Sequence, residues 1–165
     1  MPLPVNDAFL DVQNAYLQEE IRRKGITKLT ELEPIQKGLY LWQGDITTLE
    51  CDAIVNAANC QMLGCFCPNH GCIDNAIHTF SGIQLRLACS DLMKQQGHEE
   101  EAGTAKITLA YNLPCQYVIH TVGPIVSGWL TKKDKKMLVS CYRSCLELAE
   151  QKGFKRIAGC CFSTG

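Results

Sequence analysis

Apolar positions along the chain recur with two periods, and the switches between them mark out the elements. Residues 6–23 carry Phe9, Leu10, Val12, Tyr16, Leu17 and Ile21 at helical spacing behind Asp7, which predicts an amphipathic helix ended by Lys24-Gly25. Residues 38–43 alternate and predict a first strand, closed by the turn Gly44-Asp45-Ile46-Thr47. Cys51-Asp52-Ala53-Ile54-Val55 predicts a second, buried strand that runs into the polar corner Asn56-Ala57-Ala58-Asn59. From Asp74 to Gln96 the positions of Ile77, Phe80, Ile83, Leu85, Leu87, Ala88 and Leu92 suit one long helix bent at Ser81-Gly82. The acidic run Glu99-Glu100-Glu101 predicts a solvated loop. Two more strands follow at 105–110 and 117–122, joined by a short turn. Residues 132–152 predict a second long helix with Met137, Leu138, Cys141, Cys145, Leu146 and Leu148 facing inward, and 156–162 a last strand before Ser163-Thr164-Gly165. His78 falls on an apolar helix face and His120 in a strand, where hydrogen-bonded core histidines are expected. Alternating strands and helices make this an α/β domain, and the short turn between two strands makes its sheet mixed.

Composition narrows the class. At 165 residues and 18.3 kDa the chain is long enough for one domain with a real core. A net charge of -1 and a pI near 6.4 provide no broad basic field, so no nucleic acid is expected as a partner. No apolar run approaches the roughly 20 residues of a membrane-spanning helix, and no basic-plus-apolar leader opens the chain. A cytoplasmic protein without a membrane partner is expected. Eleven cysteines then suit a reducing compartment, with a few metal-binding thiolates and the rest, such as Cys89, Cys141, Cys145, Cys160 and Cys161, serving as small core residues.

The candidate chemistry is concentrated in one loop. Cys65, Cys67, His70 and Cys72 lie within eight residues of a glycine- and proline-bent segment, the donor types that tetrahedral zinc prefers. Three protein ligands would leave a position open to polarise an oxygen or activate a water, and four would close the site. Asp45 and the Asn56/Asn59 corner follow strands, so a carboxylate and carboxamides are available for a base amine and sugar hydroxyls. Equally, Asp45 can cap a turn and Asn56 can bond the backbone. Ser163-Thr164-Gly165 can offer backbone N–H groups to a phosphate, and Asp74 suits either the helix dipole or a site carboxylate.

Gly44-Asp45-Ile46-Thr47, the run from Cys51 to Asn59, Gly103-Thr104-Ala105, the run from Tyr117 to Pro124 and Ser163-Thr164-Gly165 together resemble the macrodomain family. That resemblance implies a three-layer α/β/α, ADP-ribose-binding domain with a central mixed sheet over residues 38–165, behind a helical N-terminal extension at 1–37. The loop between Asn59 and Asp74 resembles the zinc-dependent bacterial branch, whose members are protein ADP-ribose hydrolases; its Cys-x4-His-x-Cys pattern falls on Cys65, His70 and Cys72 and leaves Cys67 a bystander. The resemblance implies one zinc ion per chain beside the distal ribose. Asp45 would hold the adenine amine, Ile46 would line the adenine pocket, and Ser163, Thr164 and Gly165 would belong to the diphosphate loop. Asn59 would bind the distal ribose and share catalysis with Asp74, which would orient or deprotonate the attacking water.

The implied function is zinc-dependent, glycosidase-type removal of mono-ADP-ribose from modified proteins. The implied acceptor is a lipoyl-carrier protein modified by a sirtuin-type ADP-ribosyltransferase. The alternative is an ADP-ribose-binding module without turnover. The family continues past Ser-Thr-Gly, so the chain reads as a macrodomain with its C-terminal strand and helices missing, and an inactive truncated fragment is the further alternative.

Overall fold

The computed structural model describes residues 5–68, 70–126 and 128–162. The Asn6 side chain accepts the Phe9 N–H at 2.9 Å and starts helix α1 (Asp7–Lys24). The cap is thus one residue ahead of Asp7, whose carboxylate sits in the first turn and complements the helix dipole. Four short strands follow: β1 (Thr27–Lys28), β2 (Pro34–Gln36), β3 (Leu39–Tyr40) and β4 (Leu49–Glu50). β1 pairs with β4 and β2 with β3, both apart from the central sheet. This corrects the expected first strand at 38–43. Its alternation serves no buried face, since Leu39 and Leu41 are both exposed.

The central sheet contains β5 (Ala53–Ala58), β6 (Ala105–Leu109), β7 (Tyr117–Val122) and β8 (Ile157–Ala158), in the order β6-β7-β5-β8. β5 lies parallel to β7 over six pairs, from Ala53 opposite Tyr117 to Ala58 opposite Val122. β6 runs antiparallel to β7, and β8 parallel to β5, so the sheet is mixed as expected. The last strand is two residues long rather than the predicted 156–162. Asp52 fastens it: its Oδ2 accepts the backbone N–H groups of Lys155 at 2.6 Å and Arg156 at 2.8 Å.

The helix predicted from 74 to 96 with a bend at Ser81-Gly82 is two helices that meet at that position, α2 (Ile73–Ser81) and α3 (Ile83–Gln96). Gly82 between them has φ 94° and ψ 176°. The break has a tertiary cause. Ser81 Oγ donates to the Ala110 carbonyl at 2.6 Å, and Asn112 Nδ2 donates to the Ser81 carbonyl at 3.0 Å, so that carbonyl is taken by a side chain instead of a following turn. α4 (Lys132–Gln151) begins with a reciprocal capping box between Thr131 and Asp134.

Alternation along the strands sorts the core into two layers. On one face Ile54 and Val118 pack with Ile77, Leu85 and Cys89 of α2 and α3, and with Ile21 of α1. Met62, from the loop after β5, plugs the same layer at 1% exposure. On the other face Ala53, Val55 and Ile119 meet Cys141, Cys145 and Ala149 of α4. The result is a three-layer α/β/α domain with four α-helices among the described residues. Cys89, Cys141 and Cys145 are small core residues as expected, whereas Cys161 and the predicted inward Leu146 are exposed.

Glu100 overturns the expectation of a wholly solvated 99–101 loop. Its backbone N–H donates to the Cys60 carbonyl at 2.8 Å. Its buried carboxylate accepts from Thr104 Oγ1 and from Gln96 Nε2 at 2.9 Å, and lies 3.3 Å from Lys106 Nζ. These partners outweigh the cost of burial and hold the carboxyl below its usual range. Among the described residues, no helix is long and apolar enough to cross a membrane.

Candidate functional site

A cleft of about 1250 Å³ opens beside α2 and β8, with Trp42, Asp45, Ile46, His70, Cys72 and Phe80 among the residues that line it. Asp45 caps the 3-10 turn Ile46–Thr48: its Oδ1 accepts Thr47 N–H at 2.9 Å and Thr47 Oγ1 at 2.6 Å. Its Oδ2 accepts Lys24 Nζ at 2.6 Å, and the same ammonium sits 3.2 Å from the centre of the Phe80 ring. Burial alone would raise the Asp45 carboxyl, but the bonds from Lys24 and Thr47 leave it below the ordinary value. The last turn of α1, which periodicity marks only as packing, therefore touches two residues of the cleft wall. Ile46 lies next to it, half-buried against the core.

The ligand loop is tied down from both ends. Asn59 Nδ2 donates to the Gly64 carbonyl at 3.1 Å, and the Arg86 guanidinium of α3 stacks 4.7 Å above the Phe66 ring. Asn75 Nδ2 donates to the His70 carbonyl at 2.9 Å. Cys72 caps α2 through its sulfur, which accepts Asn75 N–H at 3.4 Å, and burial pushes its thiol up. These ties bring Cys65 Sγ to 3.3 Å from His70 Nδ1, and the ligand atoms of Cys65, His70 and Cys72 lie within 4.8 Å of one another. Two donors on one zinc, at bond lengths of about 2.3 and 2.0 Å, stand roughly 3.5 Å apart. The donor set fits that ion in type and spacing. Cys67 is exposed and does not belong to the group.

Behind the loop lies a polar layer inside an apolar sheet face. Asn56 of β5 stands opposite His120 of β7, and its Nδ2 donates to Asp74 Oδ1 at 2.8 Å and to His120 Nδ1 at 3.2 Å. His120 Nδ1 then accepts, so its proton is on Nε2, which meets Thr108 Oγ1 at 2.9 Å. Asn59 Nδ2 is 3.4 Å from Asp74 Oδ2. Asp74 is 5% exposed, and burial pushes its carboxyl upward. Burial depresses the imidazoles: His120 to about 3 and His78 to about 4.

The structure thus brings Asp45, Ile46, His70 and Cys72 onto one cleft. Cys65 joins the ligand group from just behind that wall, and Asn59 and Asp74 form its backing. Ser163, Thr164 and Gly165 lie outside the described residues. Asn56 bonds side chains rather than the backbone, and His78 is not the satisfied core histidine expected, because neither ring nitrogen has a hydrogen-bond partner. A signal for the Asn56–His120 pair was present in the sequence: each is the fourth residue of an otherwise mostly apolar six-residue strand.

Comparison with known proteins gives these features a context. Residues 55–165 match the family model described as Macro domain. The chain is 57% identical over 168 residues to a Protein-ADP-ribose hydrolase of Treponema medium, covering 99% of this chain and 64% of that protein. It is 52% identical over 165 residues to a Protein-ADP-ribose hydrolase of Staphylococcus aureus (strain MRSA252), covering 99% of this chain and 62% of that one. The chain therefore spans less than two thirds of these relatives' length. Among solved structures, a Trypanosoma brucei macrodomain superposes with a TM-score of 0.75 at 30% identity, over 99% of this chain and 69% of that one. An Oceanobacillus iheyensis macrodomain with ADP superposes with a TM-score of 0.65 at 39% identity, over 74% of this chain and 62% of that one.

Proposed function

The chain is a member of the macro domain family, and on that footing we propose that it removes mono-ADP-ribose from modified proteins with the help of one zinc ion held by Cys65, His70 and Cys72. The observation that carries this reading is the placement of His70 and Cys72 on the same cleft as Asp45 and Ile46. Relatives that share over half of their aligned residues with the chain carry the name Protein-ADP-ribose hydrolase, which supports the hydrolase part of this reading.

In this mechanism Asp45 accepts the adenine amine once Lys24 yields its place on Oδ2, and Ile46 packs against the base. Asn59 and Asp74 serve the distal ribose at the other end of the ligand. The Asp74 carboxylate, aimed by Asn56, orients the attacking water or takes its proton. Zinc, when bound, supplies positive charge to the ribose oxygens and the leaving bond. The diphosphate is assigned to Ser163, Thr164 and Gly165 on the family pattern. The acceptor, a lipoyl-carrier protein modified by a sirtuin-type ADP-ribosyltransferase, also rests on family resemblance. A cytoplasmic location is in keeping with eleven free cysteines.

A second reading, an ADP-ribose binder without turnover, is favoured by one observation: the cleft lining includes Ile73 and Asn75 but not Asp74, which is almost fully buried. The test combines zinc content with release of ADP-ribose from a modified protein, for the parent chain, Cys65→Ala and His70→Ala. Zinc near one per chain, with release lost in both variants, supports the hydrolase. Zinc and tight ADP-ribose binding without release from the parent supports the binder.

A further inference from the structure

His78 follows Asp74 by one helical turn on α2 and faces the same way. Its side chain is 1% exposed, its Nε2 lies 3.6 Å from Asp74 Oδ1, and both ring nitrogens lack hydrogen-bond partners. A buried imidazole N–H left unpaired loses its water partners without replacement, so a partner within reach has a strong claim on it. The ionisable groups around His78 are Asp74 on its own helix, Arg86 and Cys89 on α3, and His120 on β7. The ligand atoms of His78, Cys89 and His120 also lie within 4.8 Å of one another, but they do not suit a second metal ion. His120 is committed at both nitrogens to Asn56 and Thr108, and the Arg86 charge acts on His78 and Cys89 alike. Asp74 is the acceptor that remains. A movement of about half an ångström brings its 3.6 Å separation within hydrogen-bond range.

We propose that His78 is a positioning residue for Asp74, donating from Nε2–H to Oδ1 and leaving Oδ2 as the oxygen that works at the distal ribose. Oδ1 then takes two donors, Asn56 and His78, that reach it from the sheet and from the helix. Oδ2 keeps only the long 3.4 Å contact from Asn59, the residue assigned to the same ribose. The carboxylate is thereby held unequally: one oxygen is fixed by two donors, and the other keeps a single long contact to a residue assigned to the ribose. Gly64, beside Cys65, makes room for the arrangement, because a Cβ there would stand 2.8 Å from His78 Cγ. The inference rests on the hydrolase reading for its catalytic half and on geometry alone for the hydrogen bond.

The experiment keeps the two apart. Kinetics of ADP-ribose release are compared for the zinc-loaded parent, His78→Phe, which packs but cannot donate, and His78→Gln, which can donate. His78→Phe is expected to lower kcat about tenfold while KM, zinc content and ADP-ribose affinity stay within about twofold, and His78→Gln to recover most of the loss. Equal losses in both variants, or a loss of zinc or affinity in place of kcat, would make His78 a simple prop and overturn the proposal. In parallel, nitrogen-edited NMR should detect a slowly exchanging His78 Nε2–H that disappears in His78→Phe and shifts in Asp74→Ala. Its absence from the parent refutes the hydrogen bond. A parent that shows the resonance yet releases no ADP-ribose overturns the hydrolase reading and the catalytic half of this proposal, leaving the His78–Asp74 bond established.

Discussion

Substituting Gly64 by alanine should strike the site through the loop rather than through the chemistry. Gly64 has φ +81°, and an added Cβ would stand 2.8 Å from His78 Cγ, 2.9 Å from His78 Cδ2 and 3.2 Å from Arg86 Nη2. Two costs combine. The left-handed backbone costs an L-residue about 1–2 kcal/mol. Forcing a buried ring aside adds about 1–3 kcal/mol, because Cγ is attached directly to Cβ and cannot swing clear like the tip of a flexible chain. Gly97→Ala is the internal control: its φ is +79° but nothing lies within 4 Å, so it bears the backbone cost alone. The thermal midpoint of Gly64→Ala should therefore fall further than that of Gly97→Ala, by about 2–4 °C for each kcal/mol of steric cost. Zinc affinity should weaken in Gly64→Ala and not in Gly97→Ala, since the displaced backbone adjoins Cys65. Equal midpoints for the two variants would refute the packing of His78 beneath the loop.

Metal content after dialysis should be near one zinc per parent chain, be lost in Cys65→Ser and Cys72→Ser, and be kept in Cys67→Ser, whose sulfur is outside the ligand group. His120 binds protons in the unfolded chain near pH 6.5 but in the folded one only near 3, so its contribution to stability is complete above about pH 6.5 and falls as the solution is acidified. Urea unfolding between pH 7 and 5 should show a slope of up to about 1.4 kcal/mol per pH unit from this group, with a shallower slope in His120→Gln. Glu100→Ala should cost about 1–3 kcal/mol in urea unfolding, since Gln96, Thr104 and Lys106 lose a shared acceptor. A surface-like effect of a few tenths would show that the loop is as solvated as its three glutamates suggest.

The elements that sequence periodicity locates well are those whose pattern and burial agree. Residues 105–109, 117–122 and 132–151 fall within a residue or so of expectation, because the sheet and α4 bury what the alternation and the 3.6-residue repeat present. The failures have tertiary causes. The run from Asp74 to Gln96 marks a bend at Ser81-Gly82, but nothing in it reveals that Asn112 will capture the Ser81 carbonyl and turn that bend into a break. Glu100 sits in an acidic triplet, and its bonds to Gln96, Thr104, Lys106 and the Cys60 carbonyl, which no periodicity marks, distinguish it from its neighbours. Lys24 reads as a helix-ending cation until the chain returns Asp45 to its side. The clustering of Cys65, His70 and Cys72 was legible because it is local: three donors within eight residues need only a bent loop to meet. The members of the Asp74 layer stood out as polar residues among apolar ones, but their meeting was not legible, because the partners come from strands far apart in the chain.

That distance has a consequence for how the protein reaches its working form. Asn56 and His120 are 64 residues apart, and they meet only when β5 and β7 pair in one alignment. A slip of one residue would set Asn56 against Ile119 or Thr121, whose side chains belong to the other face, and Asp74 would lose its donor from the sheet. Contacts of such long range form late in folding. The cysteine-rich loop draws its three donors from eight neighbouring residues, whereas the carboxylate behind it is aimed only once the sheet has closed. On the proposed zinc-assisted hydrolysis, a misaligned species would carry metal and lack turnover, and metal content alone would not reveal it.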